Sequence, residues 1–278
     1  MEGDEYDTAF FDKRSKFLHY LPDLVVMNNI EFDHADIYDN LDEIILTFQR
    51  LLKVVPRSGL ALINGDDENC LTAAVDAPCP VKKVGFGEDS DFRIIEVEYF
   101  ESGSRFTING ERYEVPMVGE FNVRNAAMAV CSACFAGLSP DQIRQGFESF
   151  EGIARRQQER GQVRGVTVID DFAHHPTAIG LAIDGLRQKY PSRRLWVLFE
   201  PRSNTTRRSI FQDDLAEALH KADVVVIPSI PGPEKFAEDD RLDPEKLVEV
   251  IRSKGAEAWH LGKVDDIVSH VSGIALEG

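Results

Sequence analysis

The chain is short of cations and cysteines and has no long apolar run. Lys plus Arg number 31 against 48 Asp plus Glu, a formal net charge of −17. So acidic a surface repels a phosphate backbone and an anionic bilayer, which argues against nucleic acid or membrane as a partner. No stretch approaches the roughly 20 apolar residues that a spanning helix needs. The opening Met1 to Asp7 carries four acids, unlike a basic secretory signal or an Arg-rich transit peptide. Four cysteines cannot make a disulfide framework, so a cytoplasmic protein is expected. Cys131 and Cys134 form a C-x-x-C, but they lie in the small, apolar run Asn125 to Ala136, and Cys70 and Cys79 supply no second pair. Buried structural thiols are the better reading. Two nucleotide signatures are missing as well. Without G-x-G-x-x-G, a dehydrogenase-like dinucleotide binder is disfavoured. Without G-x-x-x-x-G-K-[ST] there is no phosphate loop, since Gly262-Lys263 is followed by Val264.

What remains is globular: 43% hydrophobic and 28% charged over 278 residues, enough for one large or two ordinary domains. Leu24 to Met27 reads as a buried strand. Leu41 to Leu52 has helical apolar spacing behind Asn40 as a cap, and Leu60 to Ile63 is a second strand. Strand, helix, strand with continuous apolar strands implies a parallel sheet covered on both faces. Arg105 to Ile108 and Glu111 to Val115 flank Asn109-Gly110, a hairpin signal. Gly119 to Asn125 reads as a turn before a small-residue helix, and Pro140 to Phe150 as another helix. The pattern then restarts with strands at 166–169, 195–199, 223–227 and 256–260. Helices are expected between them at 177–189, 211–221 and 244–254, and a last one at 264–271. The fold class is α/β, with a boundary near Gly152 that gives domains 1–151 and 152–278.

In open parallel sheets, ligands bind beyond the carboxyl ends of the strands. Three polar clusters fall there: Glu31 to Asp36, Asp170 to His175 and Glu200 to Thr205. Carboxylates and an imidazole on one short loop suit Mg²⁺, although Asp33-His34 alone reads more simply as a capped loop. Asp170-Asp-Phe-Ala-His-His-Pro176 is costly to place in a strand-to-helix turn without a role. Arg155, Arg156, Arg202, Arg207 and Arg208 gather cation in a chain with little of it. Arginine forks suit carboxylates and phosphates, and ordinary surface charge is the plainer alternative for any one of them.

Taken in order, these motifs resemble the Mur ligase family, ATP-dependent amide ligases of peptidoglycan assembly. Glu2-Gly-Asp-Glu-Tyr-Asp7 is similar to the family's E-A-D-E-x-D, and Asn29-Ile-Glu-Phe-Asp-His34 to its N-I-x-x-D-H. Gly119 to Ala126 matches G-x-H-N-x-x-N-A with Phe121 in place of His, and Asp170 to Pro176 matches D-D-[YF]-[AG]-H-[HN]-P. Thr8 to Phe17 and Glu200-Pro-Arg-Ser-Asn-Thr205 resemble the branch that rejoins a murein tripeptide, L-alanyl-γ-D-glutamyl-meso-diaminopimelate, to UDP-N-acetylmuramate in wall recycling. The L-alanine branch is the alternative, and a non-catalytic α/β interaction module is another.

The resemblance implies a central ATP-binding domain followed by a Rossmann-like C-terminal domain. The family's first domain and phosphate loop would precede the acidic motif, and a further strand would follow Gly278. The chain as given is therefore expected to be a fragment with no ligase activity of its own. ATP, Mg²⁺, UDP-N-acetylmuramate and the tripeptide are the implied ligands, and the protein is expected to be a monomer. By resemblance, Glu2 and His34 hold Mg²⁺, with Glu5 or Asp4 able to replace Glu2. Asn122 and Asn125 meet the adenine. Arg155 reaches the phosphates, with Arg156 the runner-up. Asp170 and His174 orient nucleotide or nucleophile. His175, Arg202, Ser203 and Asn204 contact the peptide. No lysine lies in Asp42 to Gln49, so the carbamylated lysine of some members is not expected.

Overall fold

The computed structural model describes residues 3, 5–8 and 12–274. The chain divides into two compact units: 1–99, 103–116 and 120–150, then 100–102, 117–119 and 151–278.

In the first unit, β1 (Leu24–Met27), β2 (Leu60–Asn64), β3 (Val81–Gly85) and β4 (Phe92–Arg93) form one sheet in that order, each neighbour parallel. Helix α1 (Leu41–Val54) joins β1 to β2. Asn40 caps it by accepting from the Glu43 N–H, and Ile44, Ile45, Leu51 and Leu52 fill the core. Helix α2 (Glu68–Ala74) and strand β3 gave no clear signal. The first is only seven residues long, capped by Asp67, and the second carries Lys82 and Lys83, which pair with Asp91 and Asp89. β5 (Ile95–Phe100), β6 (Gly103–Ile108) and β7 (Glu111–Val115) make a separate sheet. The β6–β7 hairpin turns on Asn109 and Gly110 at φ 54° and 77°, as its sequence required.

Helix α3 spans Glu120–Phe135 and α4 spans Pro140–Glu148, the latter opened by a capping box between Ser139 and Gln142. The turn expected at 119–125 is instead the start of α3. Gly119, at φ 110°, makes the break alone, and the asparagines after it lie on the helix.

In the second unit, β10 (Trp196–Leu198), β11 (Val224–Pro228) and β12 (Glu257–Leu261) form a parallel sheet, flanked in sequence by four helices. These are α5 (Pro176–Lys189), α6 (Gln212–Leu219), α7 (Pro244–Ser253) and α8 (Val264–Ile274). Leu215, Leu219, Val225, Ile227, Leu247 and Ile251 are wholly buried in one cluster. The strand expected at 166–169 does form, as β9 (Val166–Asp170), but it is not part of this sheet. It pairs antiparallel with β8 (Gln158–Val163) through the Arg164-Gly165 turn. The polar sequence of β8 hid that partner. Among the described residues no helix is long and apolar enough to cross a membrane.

Candidate functional site

The first unit gathers its polar loops at the carboxyl ends of β1 and β2. His34 stands there in the left-handed region, φ 54°, a conformation that costs an L-residue about 1–2 kcal/mol and is held from outside. The Asp33 side chain accepts from the His34 N–H at 2.7 Å. The His34 ring meets Glu5 Oε1 through Nε2 at 2.7 Å, and Tyr6 packs edge-on against it at 4.3 Å. Burial disfavours the charged ring, but Glu5 and the charges of Asp33 and Asp36 outweigh it and raise the His34 pKa. Both Asp36 carboxylate oxygens accept from the Tyr6 hydroxyl.

Glu2 and Asp4 lie outside the described residues; among those described, Glu5 is the carboxylate on the His34 ring. Among the described residues no three ligating side chains cluster. The Glu5 carboxylate suits Mg²⁺, which takes one or two carboxylates and completes its shell with phosphate oxygens and water.

Beside this pair runs a chain of carboxamides. Asn64 Nδ2 donates to the Asn28 carbonyl at 2.8 Å, and Asn28 Nδ2 donates to Asn125 Oδ1 at 3.1 Å. Among the described residues Asn28 Oδ1 is buried without a partner. Asn122 is 4% exposed, one helical turn before Asn125. The sequence reading named Asn122 and Asn125 and missed Asn28 and Asn64. Their only signal was an Asn placed directly after, or at the end of, an apolar strand.

The second unit assembles the 155–158 segment against the loop after β9. Arg155 and Gln157 both have positive φ, 60° and 49°. Asp171 holds Gln157 there: Oδ2 accepts from the Gln157 N–H at 2.8 Å and Oδ1 from the Ala173 N–H at 2.7 Å. The Phe172 N–H donates to the Arg155 carbonyl at 2.8 Å. The guanidinium carbons of Arg155 and Arg156 lie 4.8 and 5.3 Å from the Phe172 ring centre, so one aromatic serves both cations. Arg155 also approaches Asp170 at 3.8 Å. His174 packs edge-on against Phe172, and its Nδ1 lies 3.1 Å from the Phe172 carbonyl. His175 is engaged as the cap of α5, accepting from the Thr177 N–H, with its ring against Phe211. Arg155, Arg156, Asp170 and His174 are thus brought together within this unit. Phe172 and Asp171, which join them, were read beforehand only as letters of the motif and given no role of their own.

Further along, the loop after β10 holds Arg202, Ser203 and Asn204. The Arg202 side chain is 78% exposed and 4.0 Å from Glu200. Ser203 Oγ accepts from the Thr206 N–H, and Asn204 Oδ1 accepts from Arg207.

Two successive α/β units with polar loops at the carboxyl ends of parallel strands define an α/β protein of the class whose ligands bind at that edge. Residues 1–133 match the Mur ligase middle domain, and residues 155–278 match the Mur ligase glutamate ligase domain. The chain belongs to the Mur ligase family. It is similar to the UDP-N-acetylmuramate–L-alanyl-γ-D-glutamyl-meso-2,6-diaminoheptandioate ligase of Escherichia coli strain K12, with 41% identity over 231 residues, 82% of this chain and 50% of the relative. The UDP-N-acetylmuramate–L-alanine ligase of Clostridium acetobutylicum is 32% identical over 276 residues, 97% of this chain and 59% of the relative. Among solved structures, a murein peptide ligase from Psychrobacter arcticus 273-4 superposes with a TM-score of 0.68 at 32% identity, over all of this chain and 57% of that one. The chain spans about half the length of the curated relatives it matches first.

Proposed function

We propose that this chain carries the central and C-terminal elements, 1–151 and 152–278, of a cytoplasmic ATP-dependent ligase that joins a murein tripeptide to UDP-N-acetylmuramate. The observation that carries this reading is the 41% identity to a relative of that printed activity. The motifs that first suggested the family lie within the two matched domains. In the family's reaction, a carboxylate oxygen of the muramoyl group takes the ATP γ-phosphoryl, releasing ADP and forming an acyl phosphate. The peptide amine then attacks the carbonyl, loses its proton, and inorganic phosphate leaves. Such chemistry needs charge neutralisation and alignment more than a protein nucleophile.

His34, with Glu2 or with Glu5 in its place, would hold Mg²⁺, which when bound neutralises phosphate charge. Asn122 and Asn125 offer the donor and acceptor that an adenine edge requires. Arg155, with Arg156 beside it on the same ring, would hold phosphate charge, and Asp170 and His174 would orient the nucleotide or the incoming amine. His175, Arg202, Ser203 and Asn204 would face the peptide. The protein is taken to act as a monomer.

Calorimetric titration separates the readings. A ligase chain without its phosphate loop retains weak peptide binding and prefers tripeptide over L-alanine. A preference for L-alanine favours the sister ligase. Uptake of neither nucleotide nor peptide refutes the reading and leaves a non-catalytic module, and uptake of NAD alone points to a dinucleotide binder.

A further inference from the structure

The connection from α5 to β10 is the chain's densest run of positive charge. Residues 187–194 hold Arg187, Lys189, Arg193 and Arg194 and no acid, in a chain of 48 acids against 31 cations. Because β10, β11 and β12 are parallel, their first residues share one edge of the sheet, opposite the edge from which the loop of Arg202, Ser203 and Asn204 leaves. At this amino edge Arg187, Pro191, Ser192, Arg193, Arg194 and Asp223 line an open cavity of about 370 Å³.

Asp223, the residue before β11, fixes the cations in place. Its Oδ2 accepts from Arg187 Nη2 and from the Leu195 N–H, both at 2.7 Å. Arg187 Nη1 donates to the Arg193 carbonyl at 2.8 Å, which ties the end of α5 to the loop. Arg193 Nη1 donates to the Gly165 carbonyl at 2.7 Å. Arg194 pairs with Glu257, the first residue of β12, and its guanidinium lies 5.5 Å from the Trp196 ring centre. Lys189, on the last turn of α5, lies over the Tyr190 ring at 5.3 Å. Three guanidinium groups thus meet two carboxylates and leave one positive charge in excess. Each uses one or two of its five N–H groups in these contacts, so all three keep donors for a ligand.

We propose that this cavity binds a phosphate-class anion, inorganic phosphate or a phosphate monoester, held by Arg187, Arg193 and Arg194 with the Ser192 hydroxyl. Phosphate brings nearly two charges and at least three acceptor oxygens, enough to meet several guanidinium forks at once. A lone carboxylate adds no more than Asp223 and Glu257 already supply. The proposal is independent of the ligase reading, because it concerns the other edge of the sheet.

Trp196 and Trp259 are the chain's two tryptophans and stack with ring centres 6.3 Å apart, so their emission reports on the ring beneath Arg194. The test titrates the chain with inorganic phosphate, with glycerol 2-phosphate and, at matched ionic strength, with sodium chloride. Tryptophan emission and the NMR signals of the arginine guanidinium groups are followed together. Phosphate should change the emission saturably and shift the Arg187, Arg193 and Arg194 signals. Arg193→Gln should weaken binding roughly tenfold to a hundredfold, and Arg193→Lys should recover only part of it, because an ammonium cannot reproduce the fork. The comparison of salts needs no variant, so a misfolded substitution does not remove the test. Saturation by both phosphates supports a monoester site, and saturation by inorganic phosphate alone supports a site for the free ion. A response that sodium chloride reproduces is screening and overturns the inference. No response, or phosphate shifts confined to Arg155 and Arg156, overturns it as well and leaves the ligase reading standing.

Discussion

Replacing Asp171 by Ala tests whether one carboxylate holds the arginine-bearing segment of the second unit in place. Its two oxygens accept from the Gln157 and Ala173 N–H groups at 2.8 and 2.7 Å. Hydrogen bonds to a charged group contribute about 1.5–3 kcal/mol each, so the gross loss is about 3–6 kcal/mol. Part is returned, because freed Gln157 can leave the left-handed region, where it stores about 1–2 kcal/mol. The net local destabilisation is then about 3 kcal/mol, which is roughly a hundredfold faster exchange of the Gln157 and Ala173 amides. Asp171→Asn retains one oxygen, so only one of the two amides should lose its protection. Amide hydrogen exchange resolved by residue reads both variants. Unchanged protection at both positions in Asp171→Ala would refute the claim that this side chain sets the segment.

The C-x-x-C makes a simple test. Iodoacetamide should label the exposed Cys134 and spare Cys131, whose pKa burial and the neighbouring Cys134 push up to about 12; equal rates would restore a redox reading. Phe172→Leu should weaken ATP binding by about fivefold to thirtyfold, since two surface cation–π contacts of about 0.5–1 kcal/mol each are lost, and Phe172→Tyr should retain the affinity. An equal loss in both variants, measured by titration, would count against the ring face. Asp223 offers a pH test. Burial opposes its ionisation, but the Leu195 N–H and Arg187 outweigh that and hold its pKa below the usual carboxylate range. A depressed folded pKa gives stability above the unfolded value near 4 that is lost as pH falls through the folded one. Asp223→Asn should therefore lower the melting temperature at pH 7, with the gap from the parent closing below about pH 4; a gap independent of pH would contradict it.

What the sequence made legible was local. Periodicity located α1 because its core face recurs within one helix, and Asn109-Gly110 announced its hairpin because both residues must adopt positive φ. Motif order identified the family for the same reason: each motif is a contiguous run. The misses are contacts between runs. β9 looked like one more parallel strand, since nothing in the polar sequence of β8 advertised a partner. Asn28 and Asn64 reach each other across 36 positions. Phe172 was visible as a motif letter, but that its ring lies beside two arginines depends on the fold of the 155–158 segment.

Arg207 shows why composition alone misleads at such places. In sequence it is one of two adjacent arginines, and exposure of either is the ordinary expectation. The fold separates them: Arg208 turns to Asp240, and Arg207 turns inward onto two loop carbonyls, a carboxamide and an aromatic face. That difference arises because β10 and β11 are neighbours, which brings Pro231 within reach of a residue 24 positions earlier. The chain has a net charge of −17, yet among the described residues no carboxylate lies within 4.0 Å of this buried guanidinium.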